Sequence, residues 1–191
     1  MLLSDKTIKD LIKKRELIIE PFDESLVGPS SVDLRLGTEF LVFDETKVSA
    51  IDVKQDVSHY MKKIIVPIGE SITIQPGMFL LATTLEYVKL PDYISARIEG
   101  KSSLARLGLI IHSTGGFIDA GFEGQLTLEL SNVNRVPIKL YVGMPICQIA
   151  FILQDKPSEQ PYWKRKTSKY KKQKGPIPSR IHLEFMQESR N

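Results

Sequence analysis

Gln125-Leu126-Thr127-Leu128-Glu129-Leu130-Ser131 switches between polar and apolar at every step. A period of two puts Leu126, Leu128 and Leu130 on one face of a strand and Thr127, Glu129 and Ser131 on the other. The leucine face predicts a buried sheet surface. The polar face carries one carboxylate. A strand glutamate with nothing around it is simply solvated. If this face lines a pocket, partial burial makes Glu129 a competent general base.

Similar segments recur on both sides of this strand. Val32–Leu36, Glu39–Phe43, Ser71–Ile74, Phe79–Thr84, Ile94–Ile98, Ile138–Val142 and Ile146–Leu153 all read as strands. The punctuation between them is Gly28-Pro29, Gly37, Pro76-Gly77, Pro91-Asp92, Pro137 and Gly143 with Pro145. Many short strands broken by such turns predict a mainly β fold: a sandwich, jelly roll or distorted barrel. No strand–helix–strand rhythm supports a dinucleotide-binding sheet. One short amphipathic helix is expected over Ser4–Arg15, with Ser4 as its N-cap and Glu20-Pro21 barring its extension. The polar stretch Asp44–Lys63 reads as a long loop or insertion.

A length of 191 residues fits one domain, expected over 1–191. The single cysteine, Cys147, excludes an intrachain disulfide framework and a Cys-based zinc site. It lies in an apolar run and reads as inert core. Asp5, Lys6, Lys9 and Asp10 interrupt the N-terminus, so no signal peptide is expected there, and no apolar run approaches membrane-spanning length. These features point to a cytoplasmic protein. Residues 161–180 hold eight Lys or Arg and no acid, more positive charge than the chain's net +3. The rest of the chain is therefore net acidic, and the basic segment favours an anionic partner, nucleic acid or a phosphorylated small molecule. Tyr162, Trp163 and Tyr170 lie within it, which argues against plain disorder.

Gly100-Lys101-Ser102-Ser103 has the look of the end of a P-loop, but the first glycine of that motif would fall on Ser95. What remains is a short helical turn that Ser102 or Ser103 could cap and Gly108 could end, with Lys101 and Arg106 able to attract an anion. Asp119 sits among Gly115, Gly116 and Gly121, where the backbone can approach a ligand; a turn-forming Asp is the plainer alternative. His182-Leu183-Glu184 matches half of the zinc-deaminase signature, but the Pro-Cys-x-x-Cys half is missing.

Together, Met1-Leu2-Leu3-Ser4-Asp5, Pro29–Leu36, Gly100–Asn132, Ser168-Lys169-Tyr170 and Pro178-Ser179-Arg180 resemble the dCTP deaminase family, which shares a trimeric β fold with the dUTPases. The resemblance runs through nearly the whole chain. It implies a distorted jelly-roll or barrel of the dUTPase-like type with few short helices. It also implies a zinc-independent deaminase acting on dCTP, in a homotrimer with sites between subunits and magnesium on the triphosphate. By that resemblance Glu129 is the general acid/base, and Ser102 and Arg106 position the attacking water. Lys101, Ser102, Ser103, Leu104, Ala105 and Arg106 would bind the triphosphate, with Asp119 near the sugar. Thr127, Leu128, Gln148, Tyr162, Lys169 and Gln173 supply the remaining nucleotide contacts, the basic segment closing over the ligand. Lys101 stands where many relatives have Arg, which keeps the charge and loses the bidentate fork.

The loop His112–Asp119 resembles the bifunctional, dUMP-forming members. Gly116-Phe117 stands where single-step enzymes carry a bulkier pair, and the small Gly116 could leave room for a second water near the α-phosphate. Alternatives are a deaminase that releases dUTP, a plain dUTPase (Gly116–Gly124 resembles that group's Gly-x-Ile-Asp loop), and a nucleic-acid-binding β domain. The last is disfavoured by the thin aromatic interleaving in the strands.

Overall fold

In the computed structural model, which describes residues 1–188, helix α1 (Asp5–Lys13) leads into strand β1 (Ile18–Glu20). Strands β2 (Val32–Arg35), β3 (Glu39–Phe43), β4 (Met61–Ile65), β5 (Ser71–Ile74), β6 (Phe79–Lys89) and β7 (Ile94–Gly100) follow. Next come the one-turn helix α2 (Ser102–Ala105), β8 (Leu109–Ile110), β9 (Phe117–Ile118), β10 (Glu123–Asn132), β11 (Ile138–Tyr141) and β12 (Pro145–Leu153). Helix α3 (His182–Glu188) closes the described chain. The last three residues of the basic segment expected to reach 191 lie outside it.

The strands form a six-stranded sheet (β4-β3-β6-β10-β8, with β1 beside β6), a four-stranded sheet (β2-β12-β7-β9) and the pair β5–β11. All the named strand pairs are antiparallel. The inner faces of all three meet in one hydrophobic cluster that includes Leu34, Phe40, Ile74, Leu80, Ile98, Leu128, Leu140 and Phe151. Each such side chain contributes about 1.5–3 kcal/mol through its burial. The mainly β architecture expected from the alternation is therefore present.

Two devices tie the sheets together. Glu86 on β6 is buried, and its carboxylate accepts from the Arg35 amide (2.8 Å) and the Arg35 Nε (2.6 Å) on β2. The buried charge is thus paired and hydrogen-bonded, which it requires. Asn132, also buried, ends β10: its Nδ2 donates to the carbonyls of Ile74 and Val136, and its Oδ1 accepts from the Asn134 amide, each at 2.9 Å.

Three local expectations need correction. Helix α1 stops at Lys13 rather than Arg15, because Arg15 takes a left-handed φ of 58°. Ser4 holds the N-cap position, but its hydroxyl meets the Thr7 hydroxyl at 3.3 Å instead of a helix amide. The stretch read as a loop to Lys63 ends earlier, because Met61–Ile65 pairs with β3 as an edge strand. Its exposed Lys62, Lys63, Ile64 and Ile65 carry no core-facing alternation to betray it.

Candidate active site

A cleft of about 600 Å³ opens over the polar face of β10. Thr127 and Glu129 of β10 line it, with Phe79 and Leu81 of β6, Phe43 of β3 and Met61 of β4 as its apolar wall. Gly115, Phe117 and Asp119 form one rim. Tyr162, Arg165, Lys169, Tyr170 and Gln173 of the basic segment form the other, and Glu184 of α3 overhangs it.

β10 keeps its period of two over its whole length: the leucines are buried and Gln125, Thr127, Glu129 and Ser131 are half-buried. The start of that polar face is covered by the chain's own C-terminal segment. The Gln173 carbonyl accepts from the Gln125 amide (3.0 Å), and Gln173 Nε2 donates to the Gln125 carbonyl (2.5 Å) and to Thr127 Oγ1 (3.3 Å). The Gly175 amide donates to Gln125 Oε1 (2.7 Å) and the Ile177 amide to Thr127 Oγ1 (3.4 Å). Glu129 is the next polar residue along and stays open to the cleft. Its Oε2 accepts from the Ser113 amide at 2.8 Å. Its Oε1 points at Gly115, where a Cβ would stand 3.3 Å away.

The basic segment is a folded strap. Gly121 has φ +79°, and a Cβ there would lie 2.7 Å from Pro161 Cβ and 2.9 Å from Trp163 Cδ1. Only glycine allows both the turn and that approach. The Tyr162 amide donates to the Ala120 carbonyl (2.8 Å), and its ring packs 5.5 Å from that of Phe122. The Tyr162 hydroxyl accepts from the Tyr170 amide (3.0 Å), and burial pushes its phenol above the usual range. The Tyr170 hydroxyl accepts from the Arg180 amide (3.0 Å), while the Arg180 guanidinium donates to the Lys169 carbonyl (2.5 Å). Lys169 is ion-paired with Glu184.

Of the expected site residues, Glu129, Thr127, Asp119, Phe117, Tyr162, Lys169 and Gln173 line this cleft. Lys101, Ser102, Ser103, Leu104, Ala105, Arg106 and Gln148 do not. They cluster at the end of β7, where Lys101 pairs with Asp33. There Gln148 accepts from Ser31 Oγ (3.0 Å) and donates to the Gly100 carbonyl (3.2 Å). Ser102, Ser103 and Arg106 are exposed.

Some finer readings change. The residue at the N-cap of α2 is Lys101, so neither serine hydroxyl caps the helix. Leu128 is fully buried on the opposite face of β10, and Leu104 is buried too, which leaves these two only their backbone to offer a ligand. Gly116 does not line the cleft, and a Cβ there would meet His112 Cε1 at 2.9 Å and the Ile98 carbonyl at 3.1 Å. The glycine beside the carboxylate is Gly115.

Sequence reasoning missed Ser113, Arg165 and Glu184, together with the apolar wall. The wall gathers Phe43, Met61 and Phe79 from three strands, a proximity no spacing reveals. The aromatic content of the basic segment was the signal for Tyr170. Among the described residues, no group of three or more His, Cys, Asp or Glu is gathered closely enough to hold a metal ion, and no helix is long and apolar enough to cross a membrane.

Comparison with known proteins gives a consistent result. A family model described as dCTP deaminase-like matches residues 2–153. The chain is 50% identical over 188 residues to a Dictyoglomus thermophilum protein named dCTP deaminase, dUMP-forming, with 97% of each chain covered. It is 47% identical over 188 residues to a protein of the same name from Methanobrevibacter smithii, covering 96% of this chain and 97% of that one. Among solved structures, it is similar to the 2'-deoxycytidine 5'-triphosphate deaminase of Agrobacterium tumefaciens, with 26% identity and a TM-score of 0.63. That match covers 78% of this chain and 46% of the Agrobacterium chain, so it spans less than half of the latter.

Proposed function

The chain belongs to the dCTP deaminase family, and on that premise we propose that Glu129 is the general acid/base of a hydrolase converting dCTP and two waters into dUMP, diphosphate and ammonia. The carrying observation is the placement of Glu129: half-buried in the cleft, held at one oxygen by the Ser113 amide, with Asp119, Tyr162, Lys169 and Gln173 around it.

Glu129 takes a proton from a water that attacks the amine-bearing ring carbon of cytosine, and passes a proton to the amine as ammonia leaves. The Ser113 amide fixes the carboxylate's direction without competing for its second oxygen. Asp119 meets the sugar, Tyr162 packs along the nucleoside, and Lys169 meets the phosphate chain, with magnesium arriving on the triphosphate as part of the substrate. A second water then cleaves the chain at the α-phosphate. Gly116 and Phe117 serve that step through loop shape. A bulkier residue at Gly116 would displace His112 and, with it, the neighbouring Ser113 amide.

Ser102 and Arg106 complete the site from a neighbouring subunit of a homotrimer. One fact supports this: the Ser102–Arg106 turn stands exposed on the chain and lines no part of this cleft. The reading makes the protein a cytoplasmic enzyme of pyrimidine deoxynucleotide supply.

The test is incubation with dCTP and magnesium, with ammonia assayed and nucleotides separated. Ammonia with dUMP and diphosphate is expected. Accumulating dUTP would overturn the second step, and untouched dCTP beside hydrolysed dUTP would make the protein a dUTPase. Mixing refolded Glu129→Gln and Arg106→Ala chains, each inactive alone, should restore turnover if sites are shared; no recovery would place both residues in one chain's site.

A further inference from the structure

Lys169 lies in the cleft wall with its side chain 22% exposed, and its ion-pair partner is Glu184, whose side chain is 60% exposed. Both residues line the cleft. Glu184 is the first carboxylate after Glu159; the intervening stretch holds only cations and neutral residues. It sits in the first turn of α3, two residues after the buried His182. The amides of Leu183 and Glu184 donate to the carbonyls of Arg180 (3.2 Å) and Ile181 (3.0 Å). Arg180 in turn holds the Lys169 carbonyl. The same strap thus presents the lysine and delivers the carboxylate that occupies it.

We infer that Glu184 is a stand-in anion for the substrate's phosphate chain at Lys169, and that by occupying the lysine it lowers the cleft's affinity for a triphosphate. This rests on the assignment of Lys169 to the phosphate chain. The physical reason is competition. A mostly exposed carboxylate returns to water at little cost, and an ion pair of this exposure is weak. A triphosphate, with several negative charges, displaces it readily. A monophosphate product offers less charge and competes less well, so Glu184 recaptures Lys169 as product leaves. Glu184 is therefore an affinity-setting residue that acts through Lys169 and touches no reacting atom.

The experiment uses the full-length protein and inorganic triphosphate as the probe, measured by calorimetry, beside steady-state kinetics on dCTP. Glu184→Gln should tighten triphosphate binding about threefold to fivefold. The KM for dCTP should fall by a similar factor with kcat nearly unchanged, and the gain should shrink as salt is raised. Lys169→Met should weaken triphosphate binding, and adding Glu184→Gln to it should change nothing further. Unaltered or weaker binding in Glu184→Gln overturns the inference, as does an equal gain in the Lys169→Met background. Emission from Trp163 reports whether the strap is still seated in each variant; an unseated strap in Glu184→Gln would make Glu184 a structural anchor and also overturn it. Triphosphate binding needs no turnover, so a wild-type protein that released no ammonia from dCTP would sink the deaminase reading while leaving this result interpretable.

Discussion

The backbone amide of Ser113 donates to Glu129 Oε2 at 2.8 Å, bridging 16 residues between a loop and the polar face of a strand. A main-chain donor has no rotamer to lose, so it aims the carboxylate without added side-chain entropy. Substituting Glu129 by Gln keeps an acceptor for that amide and removes the base. Ammonia release from dCTP should fall by about 10²–10⁴-fold, while the thermal midpoint stays close to wild type. Near-wild-type deamination by this variant would eliminate Glu129 as the acid/base.

Neighbouring glycines should respond differently to a methyl group. At Gly115 the new Cβ would stand 3.3 Å from Glu129 Oε1, so Gly115→Ala should shift the carboxylate and lower kcat about tenfold or more with little change in stability. At Gly116 it would press on His112 and the Ile98 carbonyl, so Gly116→Ala should cost about 1–3 kcal/mol of stability, with kcat falling as the Ser113 amide shifts. Denaturant titration and dCTP kinetics on the two variants separate the effects; the reverse pattern would mean that the loop is oriented otherwise.

Gly121→Ala should unseat the strap. The position needs a left-handed φ, and a Cβ there would collide with Pro161 and Trp163. Trp163 is the only tryptophan, so its emission should shift and the KM for dCTP should rise, with the β core still folded by circular dichroism. An unchanged spectrum would show that the strap docks without this turn.

Stability should decline in alkali. Burial, with Glu86 and Asp33 adding, pushes the Cys147 thiol well above its ordinary value of 9.0. Tyr87, through burial and its bond to Glu123, and Tyr93, mainly through its bond to Glu16, are raised from 10.0 to about 12. The folded state therefore holds these protons more tightly than the unfolded chain. Their contribution is complete below about pH 9 and is lost as pH climbs towards 12. Native Cys147 should also resist a thiol reagent until denaturant is added; rapid native labelling would contradict its burial.

Acid should release the loop after β3. Hydrogen bonds from Thr46, and then Lys62, lower the Asp44 carboxyl from 3.8 to about 2. A depressed carboxylate stabilises the fold above about pH 4, and that contribution is lost as pH falls towards 2. Asp44→Asn should remove this part of the acid dependence in a pH series of melting curves. An unaltered acid limb would show that Asp44 contributes nothing to it.

Sequence alone determined the mainly β class, most of the strands and the two faces of β10. These follow from local alternation and from Pro and Gly turns, which act over a few residues. Met61–Ile65 escaped because an exposed edge strand has no core face and so no alternation. The ordered motifs, through their resemblance to a family, also point to Glu129, Asp119, Tyr162, Lys169 and Gln173. Only the tertiary structure decided that these five share a cleft while Ser102, Arg106 and Gln148 stand apart. It alone showed that Ser113 aims the carboxylate, that Gly116 serves His112, and that Glu184 occupies Lys169. The first and last join residues 15 or 16 apart and the Gly116 contact depends on how its loop folds back; each is made by packing in three dimensions, which no pattern along the chain encodes.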